Sequence, residues 1–239
     1  VFVSDRVRAD ERCVARMEQM MTAIDCDRVY DVTDDELEKL IAAGRWDANR
    51  RHVGTRKTGT PPIVFNRHRW LSDDEFAVYR QHYPHRARSR FFGFGAMGFR
   101  NGPAQLQNQD IVCQSAHDLH SISGCLFKCS YCFLEDYLNI MLDVEQWAEH
   151  VEQAVDEHGE QGLWKYDNQS DILPFEPEYG VSEILVPLFA RKPRAWLMHY
   201  TKSDHVDHLL DLDHNAHTIV CWSLSAHTQS RLIETDAAT

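Results

Sequence analysis

The sequence predicts an α/β protein: parallel strands alternating with helices over residues 111–239, preceded by a mainly helical extension over residues 1–110. Three observations predict it. From Ile111 onward, strand-like segments alternate with helix-like ones at the spacing of parallel strands joined by right-handed crossovers. Polar and chemically capable residues recur where those strands end. Before residue 110 the helix signatures dominate, and one short strand is visible.

In the extension, residues 9–24 carry Val14, Met17, Met21 and Ile24 at helical spacing, which reads as a core-packing face. Thr33-Asp34-Asp35-Glu36 is a capping box that opens a helix ending near Gly44, and Ser72-Asp73-Asp74-Glu75 opens another that stops before Pro84. Between them lie loop material from Gly54 to Pro62 and a short strand at Ile63-Val64-Phe65. Residues 85–103 interleave Arg86, Arg88, Arg90 and Arg100 with a glycine- and phenylalanine-rich run. Such a run can stack bases and grip phosphate, or pack as a loop over the strand ends; no GxGxxG dinucleotide fingerprint is present.

The second half reads as a strand at 115–122, a helix at 143–158 with Asp143 as N-cap and Gly159 as stop, and a strand at 163–167. A helix at 181–190, a strand at 195–201, a helix at 204–212 and a strand at 217–224 follow. Four strands are visible. The chain begins at Val1 without methionine and stops at Thr239 just past the last strand, which reads as a fragment.

Composition bounds the class. Hydrophobic residues make up 43% and charged residues 26% of 239, ordinary for a soluble globular chain. No apolar run reaches membrane-spanning length, so no membrane partner is expected. Seven cysteines without a signal-peptide pattern point away from a disulfide framework and toward a reducing, cytoplasmic setting. Cys13 and Cys26 read as small buried hydrophobes. The net charge of −12 is uneven: residues 45–100 hold 12 Lys+Arg against 4 Asp+Glu, while the rest of the chain holds 13 against 33. The basic block is either a nucleic-acid footprint or a set of arginines paired with the acidic remainder.

The chemistry concentrates in Cys125-Leu126-Phe127-Lys128-Cys129-Ser130-Tyr131-Cys132, a C-x3-C-x2-C pattern after the first of the four strands. A structural zinc closes with four protein ligands. Three thiolates on one loop suit a cubane iron–sulfur cluster with one iron left for another ligand. Zinc with His117 or His120 as fourth ligand is the alternative. Further candidates sit where strands end: Asn168-Gln169-Ser170-Asp171 after the second, Lys202 and Ser203 after the third, Ser223 and Ser225 after the fourth. Lys202 suits a carboxylate or phosphate, or a surface ion pair. His205, His208, His214 and His217 read as structural or exposed rather than as a metal cluster.

With Tyr131 before its last cysteine, the motif resembles the radical S-adenosylmethionine (SAM) superfamily. Cys132-Phe133-Leu134, Tyr137-Leu138-Asn139, the run from Thr201 to Leu210 and His214-Asn215 resemble its spore photoproduct lyase branch. The resemblance implies a (βα)6 radical SAM-type open barrel, with about two units missing. It implies that Cys125, Cys129 and Cys132 hold three irons of a 4Fe–4S cluster whose fourth iron chelates SAM. Reductive cleavage of SAM to a 5′-deoxyadenosyl radical would follow, fed by an electron donor such as flavodoxin or ferredoxin. Tyr131 would lie against the adenine, and Gln169, Ser170 and Asp171 would meet the SAM amino group, with Lys202 and Ser223 also at the cofactor. Relatives often carry Gly-Glu where this chain has Asn168-Gln169, so charge-assisted strength is lost there. The substrate implied is a thymine dimer in DNA; a non-DNA substrate, or a non-catalytic electron carrier, stands beside it. Spore photoproduct lyase also keeps a hydrogen-donating cysteine on the helix after the second strand, where alignment from Thr201-Lys202 places Leu185. No cysteine occurs from 133 to 220, which leaves Cys221, and less readily Cys113, as substitutes.

Overall fold

The computed structural model describes residues 1–46, 59–88, 97–100, 115–132, 134, 137–167, 169–235 and 237. Two five-stranded sheets carry the fold. The first takes β1 (Phe2–Ser4), β2 (Tyr30–Val32) and β3 (Ile63–Asn66) from the N-terminal part. These are parallel, with β1 in the middle, and β3 continues in parallel onto β8 (Leu138–Met141). The short β6 (Ile122–Ser123) closes this sheet antiparallel to β8. The first sheet therefore draws strands from both sides of residue 110.

Helices α1 (Asp5–Arg8), α2 (Glu11–Met21), α3 (Asp34–Gly44), α4 (Asp73–His82) and α5 (Pro84–Arg88) accompany β1–β3. Both expected capping boxes form: Thr33 with Glu36, and Ser72 with Glu75. In α2, Cys13, Met17 and Met20 are buried, and Val14, Met21 and Ile24 pack against the same core. The methionine stripe is core. The extension is helical by residue count, yet its strands make it α/β. β1 and β2 are three-residue strands too short to leave an alternation in the sequence.

The second sheet runs β11-β10-β9-β5-β4. β5 (Ala116–Leu119), β9 (Leu163–Tyr166), β10 (Trp196–Thr201) and β11 (Thr218–Trp222) are mutually parallel, and β4 (Met97–Arg100) is antiparallel to β5. These are the four expected barrel strands in their expected order. Trp164, Tyr166, Leu197, His199 and Thr201 alternate onto the buried face. That face packs on α6 (Val144–Glu157) and α7 (Ser182–Ala190), with Trp147 5.4 Å from Tyr166 and Phe189 6.2 Å from Trp164 between ring centroids. α6 presents Val144, Trp147, Ala148, Val151 and Val155, one helical stripe.

Three readings change. The strand expected over 115–122 is two strands in different sheets, with the chain crossing between them at His120-Ser121. Asp143 does stand at the N-cap of α6 but makes no side-chain cap bond there. Its Oδ1 instead accepts His68 N–H and pairs with His68 Nδ1. The helix expected over 204–212 is a single 3-10 turn at Asp207–Leu209. Its inward residues Val206, Leu209 and Leu212 recur every third position, the period of a 3-10 turn, while Leu210 is exposed.

Candidate active site

The cysteine loop is the connection between β6 and its antiparallel neighbour β8, so both feet of the loop stand in the first sheet. Gly124 opens it at φ +89, and its N–H donates to Gln169 O at 3.2 Å. A Cβ at this position would lie 1.9 Å from the carbonyl oxygen of Tyr137 at the other foot. β7 (Lys128–Cys129) pairs antiparallel with β12 (Glu234–Thr235), which follows α8 (His227–Ile233). Ser130 N–H donates to Ile233 O at 2.8 Å, and Cys132 N–H turns back to Cys129 O at 3.1 Å. Cys129 is buried, and Cys125 and Cys132 are half-buried. Burial pushes Cys125 up to about 12 and raises Cys129 as well, with the neighbouring thiols adding to both shifts.

Beside the loop, three side chains meet at one carboxylate. Glu234 Oε1 accepts Tyr131 OH at 2.6 Å, Ser225 Oγ at 2.6 Å and Lys202 Nζ at 2.9 Å. Burial works to raise this carboxyl, and the three donors outweigh it and hold it below the usual range. Lys202 Nζ also donates to Ser223 O at 2.5 Å. Lys202, Trp222, Ser223, Ser225, His227 and Glu234 line a cavity of about 310 Å³ at the C-terminal ends of β10 and β11, the size at which small-molecule sites begin. Tyr131, Lys202 and Ser223, chosen from sequence, are thus brought together, and Glu234 and Ser225 join them. Ser225 was visible as a strand-end residue; Glu234 had no signal beyond its charge.

Asp171 is buried and spent on the end of β10. It accepts Thr201 Oγ1 at 2.8 Å and Lys202 N–H at 2.6 Å. Burial nevertheless pushes its carboxyl up to about 6. Ser170 is buried beside it. Gln169 is half-buried and lies across from Gly124, while Asn168 falls outside the described residues. His120 Nδ1 lies 2.5 Å from Asp167 Oδ1 and its Nε2 3.3 Å from Gln169 Nε2, a contact the sequence did not suggest.

His117 stacks on Trp164 at 4.5 Å and His120 is engaged by Asp167, so neither turns to the cysteines as a fourth ligand. Among the described residues, the three loop cysteines included, no three His, Cys, Asp or Glu side chains form a group that could hold a metal ion. His217 Nδ1 lies 2.8 Å from Ala195 O with its ring on Trp196, and His214 Nδ1 accepts Ala216 N–H. They bind no common point. Leu185 is fully buried in the core on α7. Cys221 is half-buried and stands in register with Tyr200, on the face of the second sheet away from α6 and α7. Cys113 lies outside the described residues.

Much of the basic block, including 47–58, 89–96 and 101–114 around it, also lies outside them. Of its described arginines, Arg45 and Arg80 are exposed, and Arg67, Arg69 and Arg86 turn to acidic partners. Arg86 is buried and pairs with Asp34, as does Arg69; Arg67 pairs with Asp10 at 3.2 Å. Burial lowers Arg69 to about 10. No helix among the described residues is long and apolar enough to cross a membrane.

Parallel strands with a three-cysteine loop and a converging polar cluster at their C-terminal ends define a radical SAM-type α/β protein. The family model described as spore photoproduct lyase matches residues 112–239, and the chain belongs to that family. Spore photoproduct lyase of Bacillus subtilis (strain 168) is 27% identical over 111 residues, 44% of this chain and 32% of that protein. A doubly substituted spore photoproduct lyase with bound AdoMet and dinucleoside spore photoproduct superposes with a TM-score of 0.63 at 14% identity. The enzyme complexed with dinucleoside spore photoproduct gives 0.62 at 13%. Both matches cover 100% of this chain and 59% of the solved one. The chain thus spans under two thirds of the length of these relatives, and its N-terminal α/β part is included in the shared fold.

Proposed function

We propose that this chain carries the cofactor site of a radical SAM enzyme of the spore photoproduct lyase kind, acting on a thymine-dimer lesion in DNA. The observation that carries this reading is the cysteine loop held against the Tyr131–Glu234–Lys202–Ser225 cluster at the C-terminal strand ends. The donor set fits a 4Fe–4S cluster: three soft thiolate donors on one loop, with no side chain among the described residues turned in as a fourth. Cys129 is buried and Cys125 half-buried, and desolvation raises both thiols above their ordinary value, so thiolates there need the positive charge of bound iron. When bound, the cluster supplies the electron that breaks the sulfur–carbon bond of SAM.

The chain's own residues do the rest. Tyr131 and Ser223 bound the adenosyl side, and Lys202, with one N–H left beyond Glu234 and Ser223, gives a donor for a carboxylate. Gln169, with Ser170 beside it, forms the acceptor side, which suits an ammonium, and Asp171, spent on Thr201 and Lys202, holds the end of β10 behind them. Cys221, on the strand face away from the helices, takes the role of hydrogen donor. A reducing partner such as flavodoxin or ferredoxin and a cytoplasmic setting belong to this reading. A second reading keeps the SAM chemistry on a substrate other than DNA. It is favoured by the inward pairing of Arg67, Arg69 and Arg86 and by the net charge of −12.

The test is anaerobic reconstitution with iron and sulfide, reduction, and assay of 5′-deoxyadenosine beside Cys129→Ala. Cleavage by the parent alone is expected. A reduced cluster without SAM cleavage would turn the reading to an electron carrier. Ultraviolet-irradiated DNA as substrate, with salt-dependent binding measured in parallel, separates the DNA reading from the second.

A further inference from the structure

We infer that His120 and Asp167 are a buried positioning pair that fixes the side-chain amide of Gln169, turning its carbonyl oxygen toward the α-amino group of SAM. This rests on the SAM-binding reading above and adds to it residues that reading does not use.

The pair follows from register. Leu119 of β5 lies opposite Tyr166 of β9, so the next residues, His120 and Asp167, leave adjacent strand ends side by side. Asp167 is 1% exposed and His120 8%. With Nδ1 2.5 Å from the carboxylate, that nitrogen carries the proton and donates to Asp167 Oδ1. In the neutral ring Nε2 is then a lone pair. Gln169 Nε2 stands 3.3 Å from it, and an amide NH2 only donates. The amide nitrogen therefore faces His120, and the amide oxygen faces the other way. The same Oδ1 accepts the main-chain N–H of Gln169 at 2.7 Å. One carboxylate oxygen thus holds the Gln169 backbone directly and its side chain through the imidazole.

Two acceptors remain open. Gln169 Oε1 makes no hydrogen bond among the described residues, and Asp167 Oδ2 is buried without a partner. Unmatched acceptors beside the foot of the cysteine loop suit a cation rich in N–H groups that a ligand brings in; a primary ammonium has three. The arrangement also accounts for glutamine at 169. A glutamate would set a carboxylate lone pair against the Nε2 lone pair and so require an imidazolium. Glutamine meets the neutral ring, and the negative charge is supplied from behind by Asp167. Lys202, with two of its three N–H donors spent on Glu234 and Ser223, keeps one at the other end of the site, so the two poles match an amino acid's ammonium and carboxylate.

The test is equilibrium binding to the reconstituted full chain under anaerobic conditions, without turnover. It compares SAM with 5′-methylthioadenosine, which keeps the adenosine and sulfur and lacks the amino-acid end. Asp167→Asn presents a donor to Nδ1, moves the ring proton to Nε2 and turns the Gln169 oxygen inward. His120→Leu removes the acceptor, and His120→Gln retains one. Both Asp167→Asn and His120→Leu are expected to weaken SAM about tenfold while leaving methylthioadenosine unchanged; His120→Gln stays near the parent. Unchanged SAM affinity in Asp167→Asn and His120→Leu overturns the inference, as does equal weakening of both ligands, which marks a merely structural role. Should Asp167→Asn fail to fold by circular dichroism, His120→Leu against His120→Gln decides. A parent that does not distinguish SAM from methylthioadenosine overturns the underlying amino-acid subsite, and with it the pair; that result appears in the parent, not in the variants.

Discussion

Gly124→Ala tests how the cysteine loop is held. Two separate costs act at this residue. Its φ of +89 is disfavoured for alanine, at about 1–2 kcal/mol. The added Cβ also falls 1.9 Å from Tyr137 O and 3.0 Å from Tyr137 C. Both are backbone atoms that cannot swing aside as a side-chain tip would, so the two feet of the loop must separate, an overpacking cost of about 1–3 kcal/mol. Alanine restricts the unfolded chain and returns about 0.4–1 kcal/mol. The net loss is about 2–4 kcal/mol, a large part of the roughly 5–15 kcal/mol that a domain has. Gly59→Ala is the control: its φ is +104 but a Cβ there meets nothing within 4 Å, so only the conformational cost of about 1 kcal/mol applies. Urea unfolding of the unreconstituted chains measures the stability, and bound iron after reconstitution measures the loop. A Gly124→Ala chain that unfolds with the Gly59→Ala control and loads iron like the parent would refute the reasoning.

Three other outcomes follow from buried groups. Glu176 accepts Gly180, Val181 and Ser182 N–H at the start of α7, yet burial pushes it up to about 7. Its folded value lies above its unfolded one, so the native state binds the extra proton and stability falls as pH rises from about 4.5 to 7. Glu176→Gln is expected to gain on the parent by up to about 3 kcal/mol between pH 5 and pH 8, read from urea midpoints. His199 is fully buried, has no partner on either ring nitrogen, and burial lowers it to about 4. Its contribution has the opposite sense: the parent loses stability as pH falls below about 6.5. His199→Leu should therefore be the more stable chain at pH 5, with the margin shrinking at pH 8 in thermal melts. Arg16 on α2 pairs through two nitrogens with Glu145 on α6 and donates to the carbonyls of Leu142 and Tyr179. Arg16→Ala should cost about 2–3 kcal/mol in urea unfolding, and a cost under half of that would show the pair to be solvent-screened.

What the sequence made legible was whatever repeats locally. The capping boxes at Thr33 and Ser72, the helix expected over 143–158 and the strand expected over 195–201 each leave a local trace, and each formed. The three cysteines and Tyr131 were legible because they lie within eight residues. The elements that escaped depend on distant partners. β1 and β2 are three residues long and exist through pairing with each other and with β3. Glu234 reaches Tyr131 across 103 residues, and Asp167 reaches His120 across 47. No local pattern encodes such meetings. The 204–212 segment was misread because residues spaced by three and by 3.6 agree over so short a stretch.

The first sheet gives the cysteine loop a lever. Because β6 and β8 are the loop's two feet, and β8 in turn lies against β3, the spacing of the thiols is set through a ladder that ends at β2, far from the loop in sequence. Expressing residues 112–239 alone, the stretch the family model matches, would leave the Leu138–Met141 edge unpaired on the side where β3 belongs and open to strand addition by other chains. The N-terminal part is then not an appendage to the chemistry but the abutment from which the loop is sprung. Changes at Val64 or Phe65, far from any cofactor, would be felt as altered metal retention before any change of shape was visible elsewhere.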